Sequence, residues 1–323
     1  MEHSLWTALP KPFLVLAPME NVTDAVFRQM VVRMGKPDVL FTEFTSTDGL
    51  CSKGYERVVR RLAFTPEEKP IVAQIWGNDP EKYFTVAKML KEMGFDGIDI
   101  NMGCPDKSIV RRGCCSGLIR NPSLAKEIIA ATKEAAGNLP VSVKTRIGYN
   151  TISTQEWLGF LLEQNIDALT VHGRTKKEMS KVPAHWDEIG EVVKLRNAMK
   201  KETLIIGNGD VKSRKEAMEK VADYRVDGVM IGRGIFHNPW IFNKHITPEN
   251  VSSKEKLQLL LDHIQLFSET WAETKPFALM KKFYKVYISD MPDANEFRME
   301  LMACTTPEET IARIKEKMKK HNS

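Results

Sequence analysis

Eight short runs rich in β-branched and apolar residues recur along this chain, with helical segments between them. They span 13–17 (FLVLA), 39–43 (VLFTE), 71–75 (IVAQI), 97–101 (GIDIN), 141–146 (VSVKTR), 168–172 (ALTVH), 204–207 (LIIG) and 228–232 (GVMIG). Continuous apolar runs of this length suit strands covered on both faces of a parallel sheet. The segments between them carry helix signals: Asp79-Pro80, Asn121-Pro122 and Ser213 as starts, Gly94 and Gly137 as stops. Thr23 is expected to cap a further helix that ends at Gly35. Eightfold alternation of strand and helix predicts an α/β fold, the (β/α)8 or TIM barrel, with an open doubly wound sheet as the alternative.

A barrel of this kind takes about 250 residues, and the chain has 323. Past residue 245 the strand runs cease. Ser252 and Glu255 then form an S-x-x-E capping box, and Leu257, Leu260, Leu261, Ile264 and Phe267 follow at helical spacing. The expected organisation is a barrel over 1–245 and a small C-terminal helical domain over 246–323.

Composition narrows the function classes. With 42% hydrophobic and 28% charged residues, the chain can bury a large core and is not a disordered polymer. Five cysteines, an odd number in a long chain, fit a reducing compartment and a cytoplasmic location rather than a disulfide scaffold. No secretory signal and no membrane-spanning run is read in the sequence. The 47 Lys and Arg against 42 Asp and Glu leave a charge of +5, which permits an anionic partner without requiring one. Lys281, Lys282 and Lys285 lie beside Phe283, Tyr284 and Tyr287. They read either as a basic-aromatic face for RNA or, more simply, as a snorkelling amphipathic helix.

The C-terminal ends of barrel strands carry the active site. Here they show Pro18-Met19-Glu20, Glu43, Gln74, Asn101 through Pro105, Lys144-Thr145-Arg146, His172-Gly173-Arg174, Asn208-Gly209-Asp210 and Gly232-Arg233-Gly234. Glycines in the last two let backbone N–H groups approach an anion, and Arg233 adds charge, so a phosphate-bearing cofactor or substrate is expected there. Lys144 and His172 point into the same mouth. Cys104 stands in a turn where a thiol serves as acid or nucleophile, or else simply packs. Lys144 has a rival reading as a Schiff-base lysine. Cys114 and Cys115 are adjacent and read as structural, since no ligand spacing supports a metal. Asp99 receives no role.

At this point the motifs match a family. APMENVTDAVFR (17–28), IVAQIWG (71–77), DGIDINMGCPDKSIVRRG (96–113), VSVKTRIG (141–148), LTVHGRT (169–175), IIGNGD (205–210) and DGVMIGRGIFHNPWIF (227–242) resemble the flavin-dependent tRNA-dihydrouridine synthases over almost the full length. The resemblance implies an FMN-binding barrel, a helical domain that helps hold RNA, NADPH as reductant and tRNA as partner. It implies a proton donor at Cys104 and flavin contacts from Pro18, Met19, Glu20, Gln74 and Lys144. It places His172 near the cofactor phosphate or ribityl chain, and assigns the phosphate loops to Asn208, Gly209, Asp210, Gly232 and Arg233. Asn101 and Arg146 match positions near the substrate base. A cytoplasmic monomer without metal is expected.

The match departs at Gly113 through Ile119, where the family usually reads G-x-G-A-x-L-L and this chain reads GCCSGLI. It departs again between Lys176 and Trp186. The same flavin chemistry on ribosomal RNA or a free pyrimidine, a Schiff-base lyase using Lys144, and a non-catalytic RNA-binding barrel are the alternatives.

Overall fold

The computed structural model describes residues 5–271, 274–289, 291 and 293–320. The chain divides into two compact units: 1–25 with 37–232, and 26–36 with 233–323.

The first unit holds the strands. They are β1 (Phe13–Leu16), β2 (Leu40–Phe41), β3 (Thr45–Ser46), β4 (Ile71–Trp76), β5 (Gly97–Met102), β6 (Val141–Arg146), β7 (Ala168–His172), β8 (Leu204–Asn208) and β9 (Gly228–Ile231). All pairings are parallel, in the order β1-β9-β8-β7-β6-β5-β4-β2, with β3 paired to the end of β4. A bridge between Val15 and Val39 and the bond from Leu16 N–H to Val39 C=O (3.2 Å) bring β1 against the run leading into β2, so the ring closes. This is the eight-stranded barrel read from the sequence, with β3 as a short continuation of the second run.

Helices between the strands form for local reasons. The Asp79 carboxylate accepts from Glu81 N–H (3.1 Å) with Pro80 in the first turn, and the Asn121 side chain accepts from Leu124 N–H (3.3 Å) ahead of Pro122. Gly94 and Gly137 take positive φ (79° and 64°) where those helices stop. The Thr23 hydroxyl exchanges hydrogen bonds with the backbone of Met19 (2.9 and 3.2 Å), tying down the turn after β1.

Side chains alternate across a strand, and along each strand the barrel-facing set changes character. Phe13, Val15, Val39, Phe41, Val72, Ala168, Leu204, Ile206 and Met230 form one buried apolar cluster with Trp6. Further along β4 and β8, and on β5 and β6, buried positions are polar: Gln74 and Asn208, and Asp99, Asn101 and Ser142.

In the second unit, the segment 26–36 groups with the helices that follow residue 233. The sequence boundary lay at 245; the division at 232/233 reflects aromatic packing. Phe27 stacks on Phe283 (centroids 4.8 Å) and lies 6.2 Å from Phe236, and Asn243 Nδ2 donates to Met34 C=O (3.1 Å). Ser252 and Glu255 form the expected capping box ahead of the helix Ser253–Trp271. Phe283, Tyr284 and Tyr287 are buried, and Tyr287 Oη pairs with His263 Nδ1 at 3.0 Å. The aromatic half of the proposed basic-aromatic face is therefore core, which favours the amphipathic reading. Among the described residues, no helix is long and apolar enough to cross a membrane.

Gly228 tests the closure. A Cβ there would lie 2.5 Å from Phe13 Cε2 and 2.8 Å from Phe13 C=O. Gly228→Ala should lower stability by about 1–3 kcal/mol, as overpacked cores do, read as a drop in Tm.

Candidate functional site

The site begins as a chain of hydrogen bonds rising out of the barrel interior. Ser142 Oγ donates to Asp99 Oδ1 (2.6 Å), and Gln74 Nε2 donates to Asp99 Oδ2 (2.7 Å). Asn101 Nδ2 donates to Gln74 Oε1 (2.9 Å). Asn101 Oδ1 then accepts from the backbone N–H groups of Gly103 (3.0 Å) and Cys104 (2.9 Å). The buried Asn101 amide thus fixes the turn that carries Cys104. Asp99, given no role from the sequence, anchors this chain. Burial pushes its carboxyl up to about 6, against the hydrogen bonds from Ser142 and Gln74. A usable signal lay in the parity of the strands, since Asp99 shares a face with Asn101, and Ser142 shares one with Lys144.

Around the turn stand three cationic groups. Lys144 Nζ donates to Asn208 Oδ1 (3.1 Å), whose own Nδ2 donates to Met230 C=O (2.8 Å). Removal from solvent, with the nearby Arg146 charge, pulls the Lys144 ammonium down to about 8. Arg146 is buried and donates to three carbonyls: Nε to Gly103 (2.7 Å), Nη1 to Thr175 (3.1 Å) and Met179 (3.0 Å). It therefore pins the Cys104 turn to the loop after β7. Arg174, absent from the sequence-based assignments, is also buried. It donates to Val182 C=O (2.6 Å), to His172 Nε2 (3.1 Å) and to the Asp210 carboxylate. A guanidinium can only donate, so His172 accepts at Nε2 and carries its ring proton on Nδ1.

The strand-end glycines serve close approach. Gly209 sits at φ 140°, and a Cβ on it would come 2.6 Å from Ala184 Cβ. Trp186 donates Nε1–H to Gly209 C=O (3.0 Å) and fixes that loop. A Cβ on Gly232 would meet Ala17 Cβ and Met19 Sδ at 3.6 Å, so the Pro18-Met19 segment runs beside Gly232. Glu20 forms a two-pronged pair with Arg61 (2.7 Å each), and Glu43 Oε1 accepts from Asn21 N–H (2.6 Å). Arg233 is the first residue of the 233–323 segment of the second unit.

A cavity of about 700 Å³ adjoins the turn, within the range of small-ligand sites. Phe44, Arg61, Trp76, Cys104, Pro105 and Asp106 are among its walls. Phe44, Arg61 and Trp76 were not singled out in the sequence. The Cys104 thiol is half-buried and drawn down to about 7, chiefly by the neighbouring Cys115 thiol and also by the Asp106 backbone and the Arg146 charge, against its burial. Among the described residues no group of His, Cys, Asp and Glu is arranged to hold a metal ion.

The comparisons with known proteins identify the family. The family model described as Dihydrouridine synthase (Dus) matches residues 15–323. A probable tRNA-dihydrouridine synthase of Staphylococcus aureus (strain COL) is 48% identical over 305 residues, covering 94% of this chain and 92% of that protein. Probable tRNA-dihydrouridine synthase 2 of Bacillus subtilis (strain 168) is 46% identical over 315 residues, covering 97% and 96%. The chain belongs to the dihydrouridine synthase family and is an oxidoreductase. Among solved structures, the old yellow enzyme homologue from Zymomonas mobilis matches with a TM-score of 0.51 at 14% identity, over 77% of this chain and 95% of that one, a likeness of fold.

Alkylation reads the site directly. Iodoacetamide modification of Cys104, followed by peptide mass spectrometry, should rise with pH about a midpoint near 7, below the ordinary thiol value of about 8.5. Cys114 and Cys115, both buried, should stay unmodified.

Proposed function

We propose that this protein is a tRNA-dihydrouridine synthase that reduces a uridine base in tRNA, with FMN as bound cofactor and NADPH as reductant. The observation that carries the reading is Cys104. Its thiol lines a nucleotide-sized cavity on a turn clamped by Asn101 and Arg146, above the Lys144–Asn208 pair. The names of the two relatives supply the substrate class.

The donor set suits a flavin mononucleotide. Gly232 leaves room for an approach to the backbone beside Met19, as a phosphate or ring pressed against main chain requires, whereas the space at Gly209 is taken by Ala184. Lys144 and the Arg174–His172 pair add donors and positive charge. In the proposed assignment Pro18, Met19, Gln74 and Lys144 hold the ring, and Asn208, Gly209, Asp210, Gly232 and Arg233 the phosphate, with Glu20 at the edge. When bound, FMN reduced by NADPH supplies a hydride to C6 of uracil.

The chain's own residues do the rest. Uracil is a poor hydride acceptor unless C5 is protonated, and Cys104 holds that proton on Sγ. Asn101 and Arg146 keep the thiol-bearing turn in place. Lys144 supplies a cation that stabilises negative charge on the neighbouring ring. The base must leave its stack to enter the barrel mouth, at a cost of a few kcal/mol, which favours a loop nucleotide. Phe44 and Trp76 in the cavity wall offer faces for an unstacked base. The helical domain over 246–323 is assigned to holding RNA, as the resemblance implies, and the working form is a cytoplasmic monomer.

Cys104→Ala tests the assignment. It should keep bound flavin, its reduction by NADPH and tRNA binding, yet lose about 10²–10⁴-fold in dihydrouridine formation, as expected for a lost general acid. Normal turnover in Cys104→Ala would refute it. Lys144→Ala should instead lose flavin on gel filtration. A working acid must be protonated, so the RNA-dependent step should fall as pH rises through about 7.

A further inference from the structure

Trp76 ends β4 beside the Cys104 cavity, and separate contacts fix it there. β3, the short continuation of the second run, pairs with the end of β4 and sets Ser46 opposite Trp76. The Arg112 guanidinium lies over the Trp76 ring, 5.8 Å from its centroid, within cation–π range. Asp48 holds Arg112 in place, accepting from its Nη2 (2.6 Å) and from Lys82 Nζ (2.7 Å), and Asn78 Nδ2 donates to Arg112 C=O (2.7 Å). Trp76 lines the cavity and Arg112 does not. The indole is therefore braced from the side away from the cavity.

The walls of this cavity suit a flat, neutral group. Phe44 is half-buried and, among the described residues, pairs with no other aromatic ring. From the loop after β7, Met179 adds a thioether; it is 43% exposed, and its C=O is held by Arg146 Nη1 (3.0 Å). The one cation among the described wall residues, Arg61, is engaged by Glu20 through two 2.7 Å contacts and has Glu43 3.9 Å away. Asp106 adds a negative charge and is occupied in capping the helix Lys107–Arg111. A phosphate would meet no unengaged cation here. A nucleobase would meet aromatic faces and a polarizable sulfur, contacts that any base can use.

Of the residues assigned above to the flavin, only Glu20, at its edge, lines this cavity. Cys104 is where the two regions meet. A uracil lying against Cys104 takes one end of the cavity and leaves Phe44 and Trp76 for the next group along the strand. Drawing one nucleotide out of its stack also leaves its neighbour with a bare face. We propose that Trp76 is the stacking platform for the nucleobase adjacent to the target uridine, seated beside Phe44, with the phosphates of the strand held outside. This deepens the reading above and rests on it.

The test changes the RNA and the protein separately. Wild-type product maps the target uridine, and tRNAs are then made with an abasic site on its 5′ or its 3′ side. With the FMN-loaded wild-type protein, one of the two should bind about tenfold more weakly than intact tRNA, the scale of one lost base–aromatic stack. Trp76→Ala should weaken binding of intact tRNA by a similar factor, and Trp76→Phe should recover most of it. The abasic site and Trp76→Ala together should cost little more than either alone, since both remove the same contact. Additive losses, or full affinity for both abasic tRNAs, would overturn the proposal. The abasic comparison needs no variant, so it stands even if Trp76→Ala does not fold. A Trp76→Ala defect confined to reduction of the flavin by NADPH would also overturn it and give the seat to the nicotinamide. A second probe needs no turnover: a single-stranded RNA carrying one uridine with 2-aminopurine beside it, whose emission falls when that base stacks. Emission should fall on binding to the wild-type protein and stay high with Trp76→Ala; unquenched emission in the wild-type complex would contradict the proposal. A wild-type protein that makes no dihydrouridine would sink the functional reading and leave this fluorescence measurement to decide the seat.

Discussion

The Asn101 carboxamide connects the interior of this barrel to its chemistry. Its oxygen takes both N–H groups of the Cys104 turn, and its nitrogen is spent on Gln74. Gln74 in turn is held by Asp99, and Asp99 by Ser142. Each member has its partner because the one below has already been oriented. A buried network of this kind stiffens a site only when it is fully satisfied. The apolar cluster beneath it, from Phe13 to Met230, provides the floor on which those polar groups can be fixed.

Much of this was legible in the sequence. Eight apolar runs gave the strands nearly residue for residue, and the Ser252–Glu255 capping box opens its helix as expected. Other features were hidden by physics that acts across the chain. The apolar runs conceal a period of two inside the barrel, so Asp99 looked like part of a strand rather than the root of a network. Arg174 and Arg61 owe their places to partners 36 and 41 residues away in the chain. Trp186 sits beneath Gly207 and Gly209 only because the loop after β7 folds back over β8. The grouping of 26–36 with the C-terminal helices follows from aromatic contacts that no local pattern announces.

The electrostatics of the mouth follow from one asymmetry. Two buried or half-buried cations, Lys144 and Arg146, lie near the Cys104 thiol, while burial drives the carboxyl of Asp99 toward its neutral form. The result is a site with its acidic proton on sulfur and its positive charge along the rim of β6. Under the proposed function, such a site serves a substrate that accepts a hydride and then a proton, with negative charge passing through it in between. The departure at Gly113 through Ile119 lies within this arrangement. It places Cys114 and Cys115 in the segment that follows the Cys104 turn.

Product analysis tests the central claim most directly. tRNA lacking dihydrouridine and ribosomal RNA would each be incubated with the protein, FMN and NADPH, and dihydrouridine quantified by mass spectrometry. The account predicts dihydrouridine in the tRNA and none in ribosomal RNA. Dihydrouridine confined to ribosomal RNA, or none in either while NADPH still reduces the bound flavin, would contradict it.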